Sequence, residues 1–420
     1  MYKRLLALCL LIALCFQSCL KDSCRNTYTI YRPIYKNLSQ IRSEMKSEAP
    51  KPLSATGKIY VYGNYIFLNE AYTGIHIIDN ANPASPKNIG FIPIPGNVDM
   101  AVKGNYLYAD CFSDIAVFNI SDPAHIKPER FLNNVIKENG YYWGNSTNPD
   151  SVMILAGYTK KDTTVDCETY NRWRNCANCG IFYSANAVFL TAAPNSSGQT
   201  GQAGSMARFG IVNNYLYGVS YSKLYSFDIT DPSQPRAVSD ITVNNGIETM
   251  YPFKDKLFLG STNGMFVYDL SNPASPSSLG QFSHVRSCDP VITDGQYAYV
   301  TLRSGTACQG FTNQLDVLDV SSLSSPTMVK TYSMTNPHGL SKDGDLLFIC
   351  DGKDGLKVYD ARKKEDLKLI KTLDGMETYD VITLGRTAIV VAKDGLYEFD
   401  YSDKGNIHQV SKISISKSSL

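Results

Sequence analysis

Apolar side chains recur along this chain in short runs, each closed by Asp or Asn and followed by a turn. Ile75-His76-Ile77-Ile78-Asp79 aligns with Ile115-Ala116-Val117-Phe118-Asn119 and Leu224-Tyr225-Ser226-Phe227-Asp228. Met265-Phe266-Val267-Tyr268-Asp269, Leu315-Asp316-Val317-Leu318-Asp319, Leu356-Lys357-Val358-Tyr359-Asp360 and Leu396-Tyr397-Glu398-Phe399-Asp400 complete the set. The closing residues at 79, 119, 228, 269, 319, 360 and 400 are 40, 109, 41, 50, 41 and 40 apart, so the period is interrupted twice. Each period also holds a turn such as Lys103-Gly104-Asn105, an aromatic strand such as Tyr297-Ala298-Tyr299-Val300, and a proline turn such as Asn272-Pro273-Ala274-Ser275-Pro276. Short strands between turn signals at this spacing predict antiparallel four-stranded units. One such unit cannot bury both faces, whereas consecutive units cover each other. The reading is all-β: a seven-bladed β-propeller of four-stranded antiparallel blades over residues 57–420, with a β-helix or open solenoid as the alternative.

The recurring acid is read as structural, because a carboxylate at a strand end accepts the backbone N–H groups that the turn leaves unpaired. Function is sought where the period fails. The first insertion, about residues 139–205 after the second blade, is rich in Cys and aromatic residues. It holds Tyr141, Tyr142, Trp143 and Trp173, either a binding surface on a loop or a satellite core stapled by Cys167, Cys176 and Cys179. Val152 to Tyr158 and Thr163 to Cys167 predict a hairpin around Lys160-Lys161-Asp162, and Asn195 to Gly204 reads as a loose linker. The second insertion, Arg303 to Gly310, lies in the fifth unit; Cys288 and Cys308 then fall on one rim, which predicts a disulfide between them.

Polar residues gather where first strands begin: Asp99, Arg208, Glu248, Asp289, His338 and Asp380. In a propeller these starts surround one mouth of the channel, a concave place for ligands. Asp99, Arg208 and Asp380 fall five residues before the aligned turn position, and Glu248, Asp289 and His338 six, which reverses side-chain direction in a regular strand. The set is a ligand or ion ring, or a hydrated polar channel. No second histidine stands near His338, so no metal site is assigned, and no cofactor.

The first residues read as an address. Lys3 and Arg4 precede the apolar run Leu5 to Phe16, too short to span a bilayer, which takes about 20 residues, but suited to a signal peptide. Phe16-Gln17-Ser18-Cys19 resembles a lipoprotein lipobox, with Phe16 and Gln17 departing from the commoner pattern; an ordinary secretory signal is the alternative. The expectation is a signal over 1–18, a lipid on Cys19, and a tether and lead-in over 19–56. That lead-in has strand character at Thr27 to Tyr35 and a short helix near 37–46. The location expected is the cell envelope, at the outer membrane of a Gram-negative bacterium. With Cys9, Cys15 and Cys19 set aside, eight of the 11 cysteines remain, an even number favouring disulfides over zinc at Cys176-Ala177-Asn178-Cys179.

The chain has 420 residues and 43% hydrophobic content, enough for a packed core. Its 40 basic and 39 acidic residues argue against a nucleic-acid partner. The Tyr-x-Tyr/Phe strand, the Gly-Ile/Leu-x-Ile/Val-Ile/Tyr-Asp strand and the Asn/Asp-Pro-x-x-Pro turn together resemble the LVIVD repeat of bacterial and archaeal surface proteins, most clearly at 57–96, 206–245 and 247–286. The resemblance implies a propeller displayed at the envelope and brings no enzymatic residues. No G-x-S-x-G, H-E-x-x-H or P-loop segment is present. Asp351-Gly352-Lys353-Asp354-Gly355 is a fragment of a calcium loop without its glutamate, better read as a tight turn. The leading reading is a binding module for an envelope protein or glycan. The alternative is a carbohydrate-active hydrolase or lyase using Asp99, Glu248, Asp289 and Asp380 with His338.

Overall fold

Gly63, Gly104, Asn213, Lys254 and Gly344 adopt left-handed φ values of 52–56°, each at the turn joining a first strand to a second. Such turns match the right-handed twist of the strands they join and so fix a hairpin. In the computed structural model, which describes residues 25–123, 125–139, 151, 153–166, 201–284, 290–305 and 311–416, these hairpins open a series of antiparallel sheets. Seven sheets of four strands in chain order span 59–93 (sheet I), 100–132 (II), 209–242 (III), 247–283 (IV), 291–333 (V), 340–373 (VI) and 378–414 (VII). Sheet I gains a fifth strand, Gln202–Ala203, antiparallel to Ile59–Tyr62.

The recurring acid does the work its position predicts. Asp79, Asn119, Asp228, Asp269, Asp319, Asp360 and Asp400 each accept a bond at 2.7–3.2 Å from the backbone N–H two residues on. The aromatic and proline signals meet between sheets. Tyr108 and Tyr217, both fully buried, donate to the carbonyls of Pro232 and Pro273 in the next sheet's turn at 2.8 and 2.9 Å. Apolar clusters continue from III to IV, from IV through V to VI, and from VI to VII. A further cluster joins the two chain-distant sheets: Ile59, Val61, Ile66 and Leu68 of sheet I pack with Ile382, Ile389, Val391 and Leu396 of sheet VII. Beside that seam Thr56 Oγ1 donates to the Ala392 carbonyl at 2.8 Å, and Asn80 Nδ2 donates to Glu398 at 3.1 Å.

The described residues divide into two compact units, one drawn from 37–151 and 201–416, the other from 25–36 and 153–166. All seven sheets lie in the first. In the second, Arg25–Asn37 and Met153–Asp166 form a two-stranded sheet, tied by a 2.8 Å bond between the Thr27 and Thr164 hydroxyls. The hairpin predicted at Val152 to Cys167 is therefore wrong over the described residues. The long lead-in strand supplies the partners that a turn at Lys160-Lys161-Asp162 would have had to create. The predicted helix forms as Leu38–Glu44, capped by Asn37, whose side chain accepts from Gln40 N at 2.7 Å.

Cys111 and Cys350 are buried free thiols in separate sheets, so the even cysteine count does not translate into a bridge for these two. Burial is the main cause that pushes both thiols up. Cys19, Cys24, Cys167, Cys176, Cys179, Cys288 and Cys308 lie outside the described residues, as do Tyr141, Tyr142, Trp143, Trp173 and Asp289.

Candidate functional site

In sheets ordered this way, the first strand begins at the same end as the loop between second and third strands. Bonds between neighbouring sheets bring these ends together. Lys58 Nζ reaches Asp99 Oδ2 at 3.0 Å, Met250 N donates to the Ala207 carbonyl at 2.7 Å, and Gly339 N donates to the Tyr379 carbonyl at 2.9 Å. Thr301 Oγ1 donates to the His338 carbonyl at 2.7 Å.

One stretch of chain crosses this end. Gly201 N donates to Val102 O at 3.3 Å, and Gln202 Nε2 donates to Thr383 O at 3.0 Å. Ser205 Oγ accepts from Leu340 N at 2.7 Å and lies 3.3 Å from Asp380 Oδ1, to which Ser205 N also donates. Arg208 N and Phe209 N donate to Asp99 Oδ2, the second at 3.1 Å. Residues 201–209 thus bond to sheets I, II, IV, VI and VII, and Ala203 through Ala207 are buried. Over 201–204 the expected loose linker is instead pinned. Its small residues permit close approach: a Cβ on Gly201 would fall 2.1 Å from the Tyr60 ring.

The register difference seen in sequence separates Asp99 and Asp380 from Glu248 and His338, but not Arg208, which acts on Glu248. Asp99 and Asp380 point at the crossing segment and are buried. Asp99 is part of a network in which Asp110 Oδ1 accepts from Val98 N, Asp99 N and Asn97 Nδ2 at 2.8–2.9 Å. Burial, partly offset by these backbone donors, pushes the Asp110 carboxyl up to about 6. Burial also draws the Lys58 ammonium down, against the pull of Asp99. These acids bind backbone and, in the case of Asp99, a buried lysine.

Glu248 and His338, six residues before their turns, join a different group. Glu248 is the bulged residue between Ile247 and Thr249, and Tyr379 is the bulged residue between Thr378 and Asp380. A bulge re-aims a side chain that regular pairing would have sent to the other face. Burial raises Glu248 to about 6, opposed by the nearby Arg208 and then Arg303. Burial holds His338 down to about 3, with Arg303 adding to the effect, so its ring is neutral at pH 7. His338 stacks edge-on against Tyr379 with ring centroids 5.4 Å apart, and its Nε2 lies 3.2 Å from Asn336 Nδ2. Because an amide nitrogen only donates, Nε2 is the acceptor and the His338 proton sits on Nδ1.

Sequence reading missed Lys58, Ser205, Arg303 and Tyr379. Lys58 carried a usable signal: it stands five residues before Gly63, the register of Asp99 and Asp380. Asp351 is confirmed as a turn residue, accepting from Thr335 N, Asn336 N and Lys357 Nζ.

A family model described as the LVIVD repeat matches residues 55–91, 96–127, 257–283 and 286–334. These overlap two of the three clearest copies; 206–245 lies outside them. Several solved structures are similar to the chain. The Pseudomonas aeruginosa periplasmic gluconolactonase PpgL has a TM-score of 0.53 at 12% identity, over 86% of this chain and 96% of that one. A functionally unknown protein from Desulfotomaculum acetoxidans has 0.52 at 11%, over 84% and 95%. The computationally designed Ika8 protein has 0.52 at 9%, over 88% and 91%. Likeness at these identities shows the fold alone. No curated protein matches the chain.

Proposed function

The chain carries LVIVD repeats, and from that premise we propose that it is a lipid-anchored, seven-bladed β-propeller of the cell envelope, acting as a binding module through the end where first strands begin. The packing of sheet I against sheet VII supports closure, since those sheets are far apart in sequence. One observation carries the choice of end: the departures from the repeat gather there. The chain leaves sheet II at 133–139 and returns at 201–208 on this side, and the fifth unit's insertion joins its second and third strands. The loops there expose Tyr72, Tyr221 and Phe311. Exposed aromatic side chains offer contact area at low entropic cost to a protein or sugar face. Tyr141, Tyr142, Trp143 and Trp173 are further candidate contacts. Of the acids in the hydrolase alternative, Asp99 bonds backbone and Lys58, and Asp380 bonds Ser205, which favours the binding reading.

The test is a glycan-binding screen and capture from envelope extract with residues 25–420. Tyr72→Ala with Tyr221→Ala is expected to weaken binding, and Lys404→Ala at the opposite end to leave it unchanged. Equal binding by all forms would refute the assignment, and glycan turnover abolished in Asp289→Asn would replace it with the enzymatic reading. In membrane fractionation, Cys19→Ala is expected to release the chain; release of the parent chain would remove the anchor.

A further inference from the structure

Lys58 and Asp99 stand directly before the first strands of sheets I and II, and both are buried, with 3% and 4% of their side chains exposed. Their main chains are fixed: Asn69 N donates to Lys58 O at 2.8 Å, and Asp110 N donates to Asp99 O at 3.3 Å. Across the gap Lys58 Nζ lies 3.0 Å from Asp99 Oδ2. Among the described residues the ammonium, which has three N–H donors, finds that one hydrogen-bond partner. Asp99 is better served. Its Oδ2 also accepts from Arg208 N and from Phe209 N, the second at 3.1 Å, and its Oδ1 accepts from Met100 N at 2.7 Å. An ion pair held away from water suffers a desolvation penalty that Coulomb attraction does not always offset. Burial accordingly draws the Lys58 ammonium down, towards the neutral amine.

We propose that Lys58 and Asp99 condense to an internal amide, a covalent cross-link between sheets I and II. One ammonium proton passes to the carboxylate, which leaves a neutral amine beside a neutral acid. A swing of the lysine end carries Nζ from the edge of the carboxyl group to the face of Cγ, where the nitrogen lone pair forms the C–N bond. Oδ2 takes the developing negative charge between Arg208 N and Phe209 N, as in an oxyanion hole, and stays as the amide oxygen. The Cγ–Oδ1 bond breaks, and Oδ1 leaves as water with two of the three Nζ protons. No oxidant, reductant or further reactant enters. Reactants held together in fixed geometry behave as if present at about 10⁵–10⁸ M. The product also exchanges two buried charges for one neutral amide whose oxygen already has its donors. Lys58 and Asp99 bracket sheet I, so the bond closes a loop around the sheet that packs on sheet VII.

The test is mass spectrometry of a reduced tryptic digest of the whole chain. An amide at Lys58 blocks cleavage there. The expected product is a branched peptide containing Lys58 and Asp99, one water lighter than its two arms together. In Lys58→Arg, which keeps a cation for Asp99, the branched peptide is expected to vanish. Cleavage after Lys58, with Asp99 recovered in a linear peptide of full mass, would overturn the proposal and leave an ion pair only. Loss of one water confined to a linear Asp99 peptide would overturn it as well, because that marks a succinimide. Should Lys58→Arg fail to fold, the digest of the parent chain decides alone.

Discussion

Glu398 gives the sharpest test of the seam between sheets I and VII. It lies in the third strand of sheet VII with 1% of its surface exposed, and Asn80 of sheet I donates to its Oε2. Burial raises its carboxyl from the ordinary 4.5 to about 7, with the Asn80 bond opposing part of the rise. A raised carboxyl favours the protonated folded state. Its contribution is therefore complete below pH 4.5 and is lost as pH climbs through 7. A shift of this size is worth about 3 kcal/mol at most, at 1.36 kcal/mol per unit. Glu398→Gln keeps the acceptor for Asn80 and removes the titration. The variant and parent are expected to have similar urea midpoints at pH 4.5, and the variant to exceed the parent by about 2 kcal/mol at pH 8. Asp110 and Glu248, both raised to about 6, titrate in both proteins and cancel in the difference. Parallel curves for parent and variant from pH 4.5 to 8 would refute the reasoning, because they would mean that Glu398 is hydrated and the seam open.

Other consequences follow from the same contacts. A Cβ at residue 339 would stand 2.0 Å from Asp380 Oδ1 and 2.9 Å from Ser205 Oγ, so Gly339→Ala is expected to lower stability by about 1–3 kcal/mol in chemical denaturation. Lys58→Met alone strands Asp99 and is expected to cost about 3–5 kcal/mol, while Lys58→Met with Asp99→Asn costs less than the sum of the single changes in a double-mutant cycle. Mass spectrometry of a non-reduced digest is expected to recover Cys288 linked to Cys308 and Cys111 and Cys350 as free thiols; a free Cys288 would remove that bridge.

The features legible in sequence are those whose cause is local. The acid at 79, 119, 228, 269, 319, 360 and 400 was readable because a strand end, a turn and a carboxylate occupy neighbouring positions. The helix at Leu38–Glu44 was readable for the same reason, through its cap at Asn37. Asp99 and Asp380 were found as residues but their role was not. Their partners arrive from residues 201–209, after an insertion without period, and no local pattern states where that segment goes. Gly201, Ala203 and Gly204 looked like a linker because small residues serve flexible chain and tight approach alike. Glu248 and Tyr379 escape the alternation rule through bulges, which add a residue that an alignment of strands does not register. Arg303 stood at the edge of an insertion and so dropped out of the repeat comparison.

The account turns on residues 201–209 being fastened across the ends of the sheets. Hydrogen exchange of the amides at Phe209, Met250 and Leu340 reads this directly, since their bonds run to Asp99, Ala207 and Ser205. The expected result is protection equal to that of central strand amides such as Leu107 and Leu347. Exchange of these three at loop rates, with the central strands still protected, would contradict it.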